Sequence, residues 1–344
     1  MRAAARVLLL IVSSLAMAAA AAPRVALVAG EGLFEPFAVD FDESGRTFVA
    51  EMGGNRVSVI DRDGRIRVLA GTGEKGLAGD GGPAAQARLN GPHHLLMGPD
   101  GALYVADTWN NVVRRIDLTS GVITRVAGTG RKGFSGDGGP ALEADFNGVF
   151  AIAFRGDVLH ICDVGNRRIR AVDLKTGIVT TRAGTGERGV PSDGTDARTQ
   201  PLVDPRAIAF DSKGRLYICE RGGHALRMVD ADGRIRTVAG TGGAGFSGDG
   251  GPAVQATMRG PKHVSVDADD GVLIVDTENH AIRRYSPGDG TMSLVAGTGT
   301  AGSAGVGGPP ERCELNRPHG VLRQPRTGHL YIADSDNHRV VRIE

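Results

Sequence analysis

The segment Val-Ala-Gly-Thr-Gly, or a close variant of it, recurs six times along the chain. Its first glycine is Gly30, Gly71, Gly128, Gly184, Gly240 and Gly297. The first interval is 41 residues, and the later ones are 56 or 57 residues. A fixed period of this size indicates a repeat architecture, in which neighbouring units bury a shared core. We therefore interpret the 344 residues as one series of repeats and not as two unrelated domains.

Each repeat contains four short apolar segments separated by turn residues. In one copy these segments are 207–210, 216–219, 225–229 and 235–239. Short β-rich segments with such spacing predict an antiparallel meander of four strands. The repeats begin near residues 36, 92, 149, 205, 261 and 318. Six units of this kind predict an all-β fold, a six-bladed β-propeller with four-stranded antiparallel blades.

The two ends of the chain complement each other. Residues 24–30 match the end of a repeat, whereas the last repeat stops at Glu344 before its fourth strand. We therefore expect strand 24–30 to complete the C-terminal blade, so that residues 23–344 form one closed ring. Closure by such pairing leaves only short sheet edges exposed.

Three segments carry the repeat pattern most clearly: 92–117, 261–285 and 318–343. Each has a proline before an apolar strand, a Leu-Tyr-Val-Ala-Asp-like strand, and then a strand with arginine. Asn279-His280 and Asn337-His338 precede that last strand. The pattern resembles the NHL repeat family, and it is similar to exported bacterial NHL-repeat proteins and to the NHL domain of teneurins. The resemblance implies a propeller, but a propeller fold does not define a function.

The N-terminus has the pattern of a secretory signal peptide over residues 1–22. Arg2 and Arg6 precede an apolar stretch at 7–19, and small residues follow it. The stretch is too short to span a membrane as a helix. The sequence therefore predicts cleavage near Ala20 to Ala22 and a periplasmic or extracellular location.

The charge balance argues against nucleic acid as a partner. The formal net charge is +1, and loss of Arg2 and Arg6 with the leader lowers it by two, to −1. Non-specific nucleic-acid binding depends on neutralising phosphates with basic residues. We expect a monomer without a membrane span that binds a protein, a peptide or a cell-envelope polymer.

Glycine-rich inserts follow most copies of the Val-Ala-Gly-Thr-Gly segment. The clearest copies, 76–84, 133–141 and 245–253, each contain an Asp-Gly-Gly-Pro turn. One hypothesis makes Asp80, Asp137 and Asp249 calcium ligands, and the alternative lets each carboxylate bond its own turn. In a meander the inserts share an end of the propeller with Trp109, the one tryptophan of the chain. We call this end the insert-bearing face.

The starts of the inner strands form two rings around the expected channel. The first ring is Phe37, His93, Phe150, Arg206, Lys262 and His319, and the second is Ala38, His94, Ala151, Ala207, His263 and Gly320. Four of the nine histidines fall in these rings. One interpretation is a polar channel mouth, and another is an anion-binding vestibule at Arg206 and Lys262.

A third interpretation is a metal site on the channel axis, because three protein ligands with one open position are typical of catalytic zinc. Pro92-His93 and Pro318-His319 resemble the zinc motif of the NHL-fold peptidylglycine amidating lyase. Arg206 stands where that family has its third histidine, and His263, offset by one residue, should point elsewhere. The resemblance implies zinc at His93 and His319, with His263 as a substitute for the third ligand. The alternative function is a metal-dependent lyase or hydrolase that uses some of His93, His94, His263 and His319.

Acidic residues end the second strands and precede an arginine by seven residues in four repeats. The pairs are Asp107 with Arg114, Asp163 with Arg170, Glu220 with Arg227, and Asp276 with Arg283. Recurrence in successive repeats favours a structural role over catalysis. No residue is identified as catalytic. The sequence thus favours a binding or scaffold module that acts through its insert-bearing face, with ligand contacts at the channel mouth.

Overall fold

The computed structural model describes residues 22–344, so all but the last residue of the predicted signal peptide lies outside the described residues. Residues 22–344 form six antiparallel sheets. The inner strand of each sheet contacts the inner strands of its two neighbours, and the last contacts the first. The arrangement confirms the prediction of a six-bladed all-β propeller.

The strands are numbered in chain order, beginning with β1 (Val25–Ala29). Blade 1 contains β2 (Pro36–Phe41), β3 (Thr47–Glu51), β4 (Arg56–Ile60) and β5 (Ile66–Ala70). Blade 2 contains β6 (Pro92–Met97), β7 (Leu103–Asp107), β8 (Val112–Ile116) and β9 (Ile123–Ala127). Blade 3 contains β10 (Val149–Arg155), β11 (Val158–Asp163), β12 (Arg168–Asp173) and β13 (Val179–Ala183).

Blade 4 begins with a two-residue outer strand, β14 (Thr195–Asp196), and continues with β15 (Pro205–Phe210), β16 (Leu216–Glu220), β17 (Ala225–Val229) and β18 (Arg234–Ala239). Blade 5 contains β19 (His263–Val266), β20 (Val272–Asp276), β21 (Ala281–Ser286) and β22 (Thr291–Ala296). Blade 6 contains β23 (Gly320–Arg323), β24 (Leu330–Asp334) and β25 (Arg339–Ile343). The helical segments are single 3-10 turns at Ala84–Gln86, Thr108–Asn110, Ala141–Glu143, Val164–Asn166, Ala197–Thr199, Ala253–Gln255, Thr277–Asn279, Pro310–Arg312 and Ser335–Asn337.

Strand β1 completes blade 6 by pairing antiparallel with β25. The register places Val25 opposite Ile343 and Ala26 opposite Arg342. Beyond the strand, the backbone N–H of Arg24 donates to the Glu344 carbonyl at 3.0 Å, and the Glu344 N–H donates back at 3.0 Å. The predicted closure of the ring by the N-terminal strand is thus consistent with the structure.

A buried carboxylate ends the second strand of every blade in the described range. These residues are Glu51, Asp107, Asp163, Glu220, Asp276 and Asp334, all with no exposed surface. Each accepts a hydrogen bond from the backbone just before its own inner strand, as Asp107 does from the Asn90 N–H at 2.7 Å. The carboxylate therefore fixes where the chain enters the blade.

An arginine from the third strand pairs with each of these carboxylates. In blades 2 to 5 it follows the acid by seven residues, as expected, and the Arg227–Glu220 distance is 2.8 Å. Blades 1 and 6 lack an arginine at that position. Arg56 instead reaches Glu51 at 2.9 Å, and Arg339 reaches Asp334 at 2.7 Å. The predicted structural pairing therefore extends to all six described blades.

The inserts pack along the outer strand of the blade that follows them. In blade 2 the Gly81 N–H donates to the Ile123 carbonyl at 2.8 Å, and the Ile123 N–H donates to Gly82 at 3.0 Å. The segment after the Asp-Gly-Gly-Pro turn forms the short 3-10 turn Ala84–Gln86, with Ala84 buried. Equivalent contacts cover the outer strands of blades 3 to 6. The connection into blade 1 has no insert, and Val68 on β5 is 46% exposed.

A second repeated contact joins neighbouring blades. The residue before the third strand has a left-handed backbone, and in five blades it is Asn or His. Its side chain accepts a hydrogen bond from the backbone N–H that leads into the next blade. Asn111 accepts from Gly148 at 2.8 Å, and His280 accepts from Arg317 at 3.0 Å. His338 accepts from the Glu35 N–H at 3.1 Å, so the same contact joins blade 6 to blade 1.

We predict that Asp107→Ala lowers the free energy of unfolding by about 3–5 kcal/mol, because it leaves the buried Arg114 without one of its two carboxylates and frees the Asn90 N–H. Urea denaturation measures the loss. The control is Asp100→Ala, whose 2.7 Å pair with Arg115 is partly exposed. We expect that variant to lose less than about 1 kcal/mol. Equal losses in the two variants would contradict a special role for the buried carboxylate.

Candidate functional site

The first ring of inner-strand residues lies at the insert-bearing end of the channel. A β-bulge at the start of the inner strands of blades 1 to 4, such as that between Pro92 and His94, interrupts the alternation of side chains. A bulge redirects a side chain locally. Consecutive residues such as His93 and His94 therefore both take part in channel contacts, at two levels.

Aromatic and cationic contacts join the first ring into a continuous plug. The Phe37 and His319 rings stack at 3.8 Å, and the His93 ring meets the Phe37 edge at 4.9 Å and the Phe150 edge at 4.8 Å. The Arg206 guanidinium lies 3.9 Å from the centre of the Phe150 ring. The ring is completed by Lys262, whose Nζ is 3.4 Å from His319 Nε2. These side chains are mostly buried, so they close this end of the channel.

The plug histidines are held neutral. The Nδ1 atom of His93 lies 2.7 Å from the Gly91 carbonyl, and that of His319 lies 2.8 Å from the Arg317 carbonyl. A carbonyl accepts only, so each Nδ1 carries the proton. Burial, with the nearby Arg206 charge, lowers the pKa of His93 well below its usual value, and burial with Lys262 and Arg206 does the same for the pKa of His319.

Within the plug, Lys262 forms a direct ion pair with a carboxylate. Its Nζ is 2.7 Å from Glu278 Oε1, and Arg317 contacts the same oxygen at 2.9 Å. Burial opposes ionisation of Glu278, but the hydrogen bonds from Arg317 and Lys262 lower its pKa to about 2. The positive charge of Lys262 is therefore already balanced by Glu278.

His94 and His263 meet at the second level. They come from blades 2 and 5, which are opposite each other in a six-membered ring, and their Nε2 atoms are 3.1 Å apart. Small residues supply the rest of this level: Ala38, Ala151, Ala207 and Gly320. As the one-residue offset indicated, His263 lies with His94 and not with the first ring. The two imidazoles form a bar across the channel.

The structure does not assemble the proposed zinc ligands. His93 and His319 belong to the plug, whereas His263 bonds His94 at the second level. Within residues 22–344, no group of three or more His, Cys, Asp or Glu side chains is placed to hold a metal ion. The imidazoles of His93 and His319, with their Nδ1 atoms on carbonyls, act here as packing and hydrogen-bonding groups.

The insert aspartates proposed as calcium ligands contact arginines. Asp80, Asp137 and Asp249 lie 2.8, 2.8 and 3.0 Å from the buried guanidinium groups of Arg114, Arg170 and Arg283. A guanidinium thus occupies the place that a cation would take beside each carboxylate. The contact also differs from the expected bond to the turn backbone. It joins the insert to the third strand of the following blade.

Trp109 lies beside the plug on the insert-bearing face and is 52% exposed. Its ring meets the His93 ring at 5.3 Å and the Phe150 ring at 5.2 Å, both edge to face. Its backbone N–H donates to Asn90 at 3.1 Å, which fixes the loop that carries it. Trp109 thus lies next to the channel mouth, and part of its indole faces solvent.

The inserts also expose apolar side chains that sequence reasoning did not single out. In four inserts the residue after the glycine that begins the glycine-rich segment is apolar, namely Leu77, Phe134, Val190 and Phe246. Each of these four side chains is between 38% and 66% exposed. Phe34, in the short connection into blade 1, is 50% exposed and stacks on His338. We call these five residues together with Trp109 the apolar ring. The signal was present in the sequence as a Gly-apolar pair at a constant place in the repeat.

The fold and the site define a six-bladed propeller whose channel is plugged at one end. Comparisons with known proteins refine this class. The NHL repeat family model matches residues 315–343, which contain the three chain-final strands of blade 6. NHL repeat-containing protein 2 of Gallus gallus is 26% identical over 339 residues, covering 90% of this chain and 46% of that protein. Teneurin-m of Drosophila melanogaster is 28% identical over 284 residues, covering 76% of this chain and 10% of that protein.

Solved structures share the fold. An auxiliary nutrient binding protein from Bacteroides thetaiotaomicron superposes with a TM-score of 0.66 at 16% identity, covering 94% of this chain and 76% of that one. At this identity the likeness concerns the fold alone. The sequence matches support an NHL-repeat propeller family for this chain. It spans less than half the length of NHL repeat-containing protein 2. In the described part of the chain, no helix combines the length and the apolar character needed to cross a membrane.

The His94–His263 bar predicts an acid-sensitive stability. Burial lowers the pKa of His94 to about 4 and that of His263 well below its usual value. As the pH falls, these two histidines therefore take up protons in the unfolded chain before they do so in the folded protein. Their contribution to the free energy of unfolding is complete above about pH 6.5 and is lost toward pH 4. Between pH 7.5 and 5.0 the lowered pKa of His94 should cost about 2 kcal/mol of folding stability, and His263 should add to this loss in the same direction.

We expect the double variant His94→Leu/His263→Leu to lose less stability than the parent protein between these two pH values, as measured by urea denaturation. Leu322→Ala is the control, because it alters the same channel without removing a titratable group. It should lower the stability equally at both pH values. An unchanged pH dependence in the double variant would show that the bar is not protonated on unfolding.

Proposed function

We propose that this chain is a binding module that holds a partner polypeptide on its insert-bearing face, outside the cytoplasm. The observation that carries the proposal is the apolar ring. Five connections and one loop place exposed apolar side chains on the insert-bearing face, and Trp109 among them lies beside the plug. Recurring exposed apolar groups with polar surroundings are typical of protein-interaction surfaces.

Cation–π contacts hold two aromatic residues of the apolar ring, Phe134 and Phe246, in place, which favours binding. Phe134 has the Arg168 guanidinium 3.8 Å and the Arg170 guanidinium 4.8 Å from its ring centre, and Phe246 has that of Arg283 at 5.4 Å. Arg170 and Arg283 are themselves paired with the insert aspartates. Side chains held in place before association lose little conformational freedom on binding. The inserts thus present preformed contacts.

Two comparisons support a binding role. The matched relatives are NHL-repeat proteins, and one structural neighbour is described as an auxiliary nutrient binding protein. The metal-dependent lyase alternative gains no comparable support, because residues 22–344 contain no assembled metal-ligand group. The plug also lies between the insert-bearing face and the second-level histidines His94 and His263.

Site-specific photocrosslinking tests the face. A photoreactive amino acid is placed at Leu77 or at Val190 in cells that make the full-length protein. Both positions should give a discrete crosslinked partner, and Trp109→Ser with Phe134→Ser should reduce its yield at least tenfold. The matched controls are Leu142 and Val254, which are 51% and 50% exposed but lie outside the apolar ring. Equal crosslinking at the control positions would remove this face from consideration.

Export is tested separately, by N-terminal sequencing and fractionation of the same cells. The apolar segment at 7–19 after two arginines motivates this expectation. We expect the mature chain to begin within residues 20–23 and to leave the cytoplasmic fraction. Recovery of the intact N-terminus in the cytoplasm would refute export, and it would leave the crosslinking result unaffected.

A further inference from the structure

The channel beyond the His94–His263 bar is hollow. A cavity of about 180 Å³ extends from the bar along the inner strands, away from the plug. Ala153, Ala209 and Ser265 line it, and their short side chains leave the space open. The inner strands start at the insert-bearing face, so this cavity lies toward the opposite face of the propeller.

The cavity wall is mostly apolar and carries no charged side chain. Leu96, Phe154, Phe210, Val266 and Leu322 supply the larger surfaces. All five are partly exposed, so the far end of the cavity reaches solvent. A wall of this composition favours a neutral ligand with an apolar body, because a charged group would be desolvated without a partner.

Three buried polar atoms among the lining residues have no hydrogen-bond partner. They are Nδ1 of His94, Nδ1 of His263 and Oγ of Ser265. Each of these residues is less than a tenth exposed. A buried polar group left unpaired costs about 1–3 kcal/mol, so three in one cavity indicate a missing partner.

The bar offers both a donor and an acceptor. Two neutral imidazoles that share one Nε2–H···Nε2 bond have one Nδ1–H and one Nδ1 lone pair left over. A hydroxyl group can bond at either end of the bar, because it can donate to the Nδ1 lone pair of one imidazole or accept from the Nδ1–H of the other. A carboxylate, which only accepts, would leave the Nδ1 lone pair without a donor.

We propose that the cavity binds one small neutral molecule with a six-membered ring or a body of similar size and a single hydroxyl group. The volume fits this class, since an apolar cavity of about 150 Å³ holds benzene. The hydroxyl bonds to the His94–His263 bar or to Ser265, and the ring contacts the apolar wall. The site lies outside the apolar ring and does not depend on the partner-binding proposal.

Calorimetric titration of the full-length protein with phenol and with toluene tests this assignment. The two probes are similar in size, and only phenol carries a hydroxyl. We expect phenol to bind with one-to-one stoichiometry and at least tenfold more tightly than toluene. Binding of neither probe, or equal binding of both, would overturn the proposal.

Two variants locate the site. His263→Leu should abolish the preference for phenol over toluene. Because that change also alters the bar, Ala209→Leu serves as a second variant that fills the cavity without removing a polar group. It should weaken phenol binding at least tenfold while the protein retains a cooperative thermal transition. Val190→Ser on the insert-bearing face is the control and should bind phenol as the parent does. Unchanged phenol binding in Ala209→Leu would place the ligand elsewhere.

Discussion

The buried carboxylate at the end of each second strand is the contact on which the remaining geometry depends. It accepts a backbone N–H from the connection that enters the blade and pairs with an arginine of the third strand. One side chain therefore fixes three segments that are distant in sequence. Burial raises the pKa of Asp107 to about 6, although Asn110, Asn90 and Arg114 act in the opposite direction. The carboxylate thus loses its hydration on burial, and its hydrogen bonds fix the positions of the segments around it.

This contact also determines where the channel residues lie. Because the carboxylate fixes the start of each inner strand, the six ring positions are set by architecture and only the side chains vary. In this chain they give an aromatic and cationic plug at one level and a histidine bar at the next. Below the bar, short side chains leave a cavity. The two ends of the channel therefore have different chemistry although the backbone repeats.

The sequence was sufficient for the repeat, the six four-stranded blades and the seven-residue acid–arginine pairs, because these depend on local spacing. It was insufficient where the partner of a residue lies at a sequence spacing that differs from the other repeats or spans several of them. Arg56 and Arg339 follow their acids by five residues, so a search at seven misses them. The Asp80–Arg114 contact crosses 34 residues and depends on how the insert lies on the next blade. The His94–His263 contact spans 169 residues and requires both the number of blades and the bulged strand starts.

The pairing of β1 with β25 has a mechanical consequence. The backbones of Arg24 and Glu344 form two hydrogen bonds with each other at the open end of this antiparallel pair. The two ends of the propeller therefore leave the molecule side by side. A force that pulls these ends apart loads the β1–β25 hydrogen bonds one after another and not all together. Individual hydrogen bonds contribute only about 1 kcal/mol each. Tension at the termini should therefore open blade 6 by unzipping, while the other five blades keep their complete sheets.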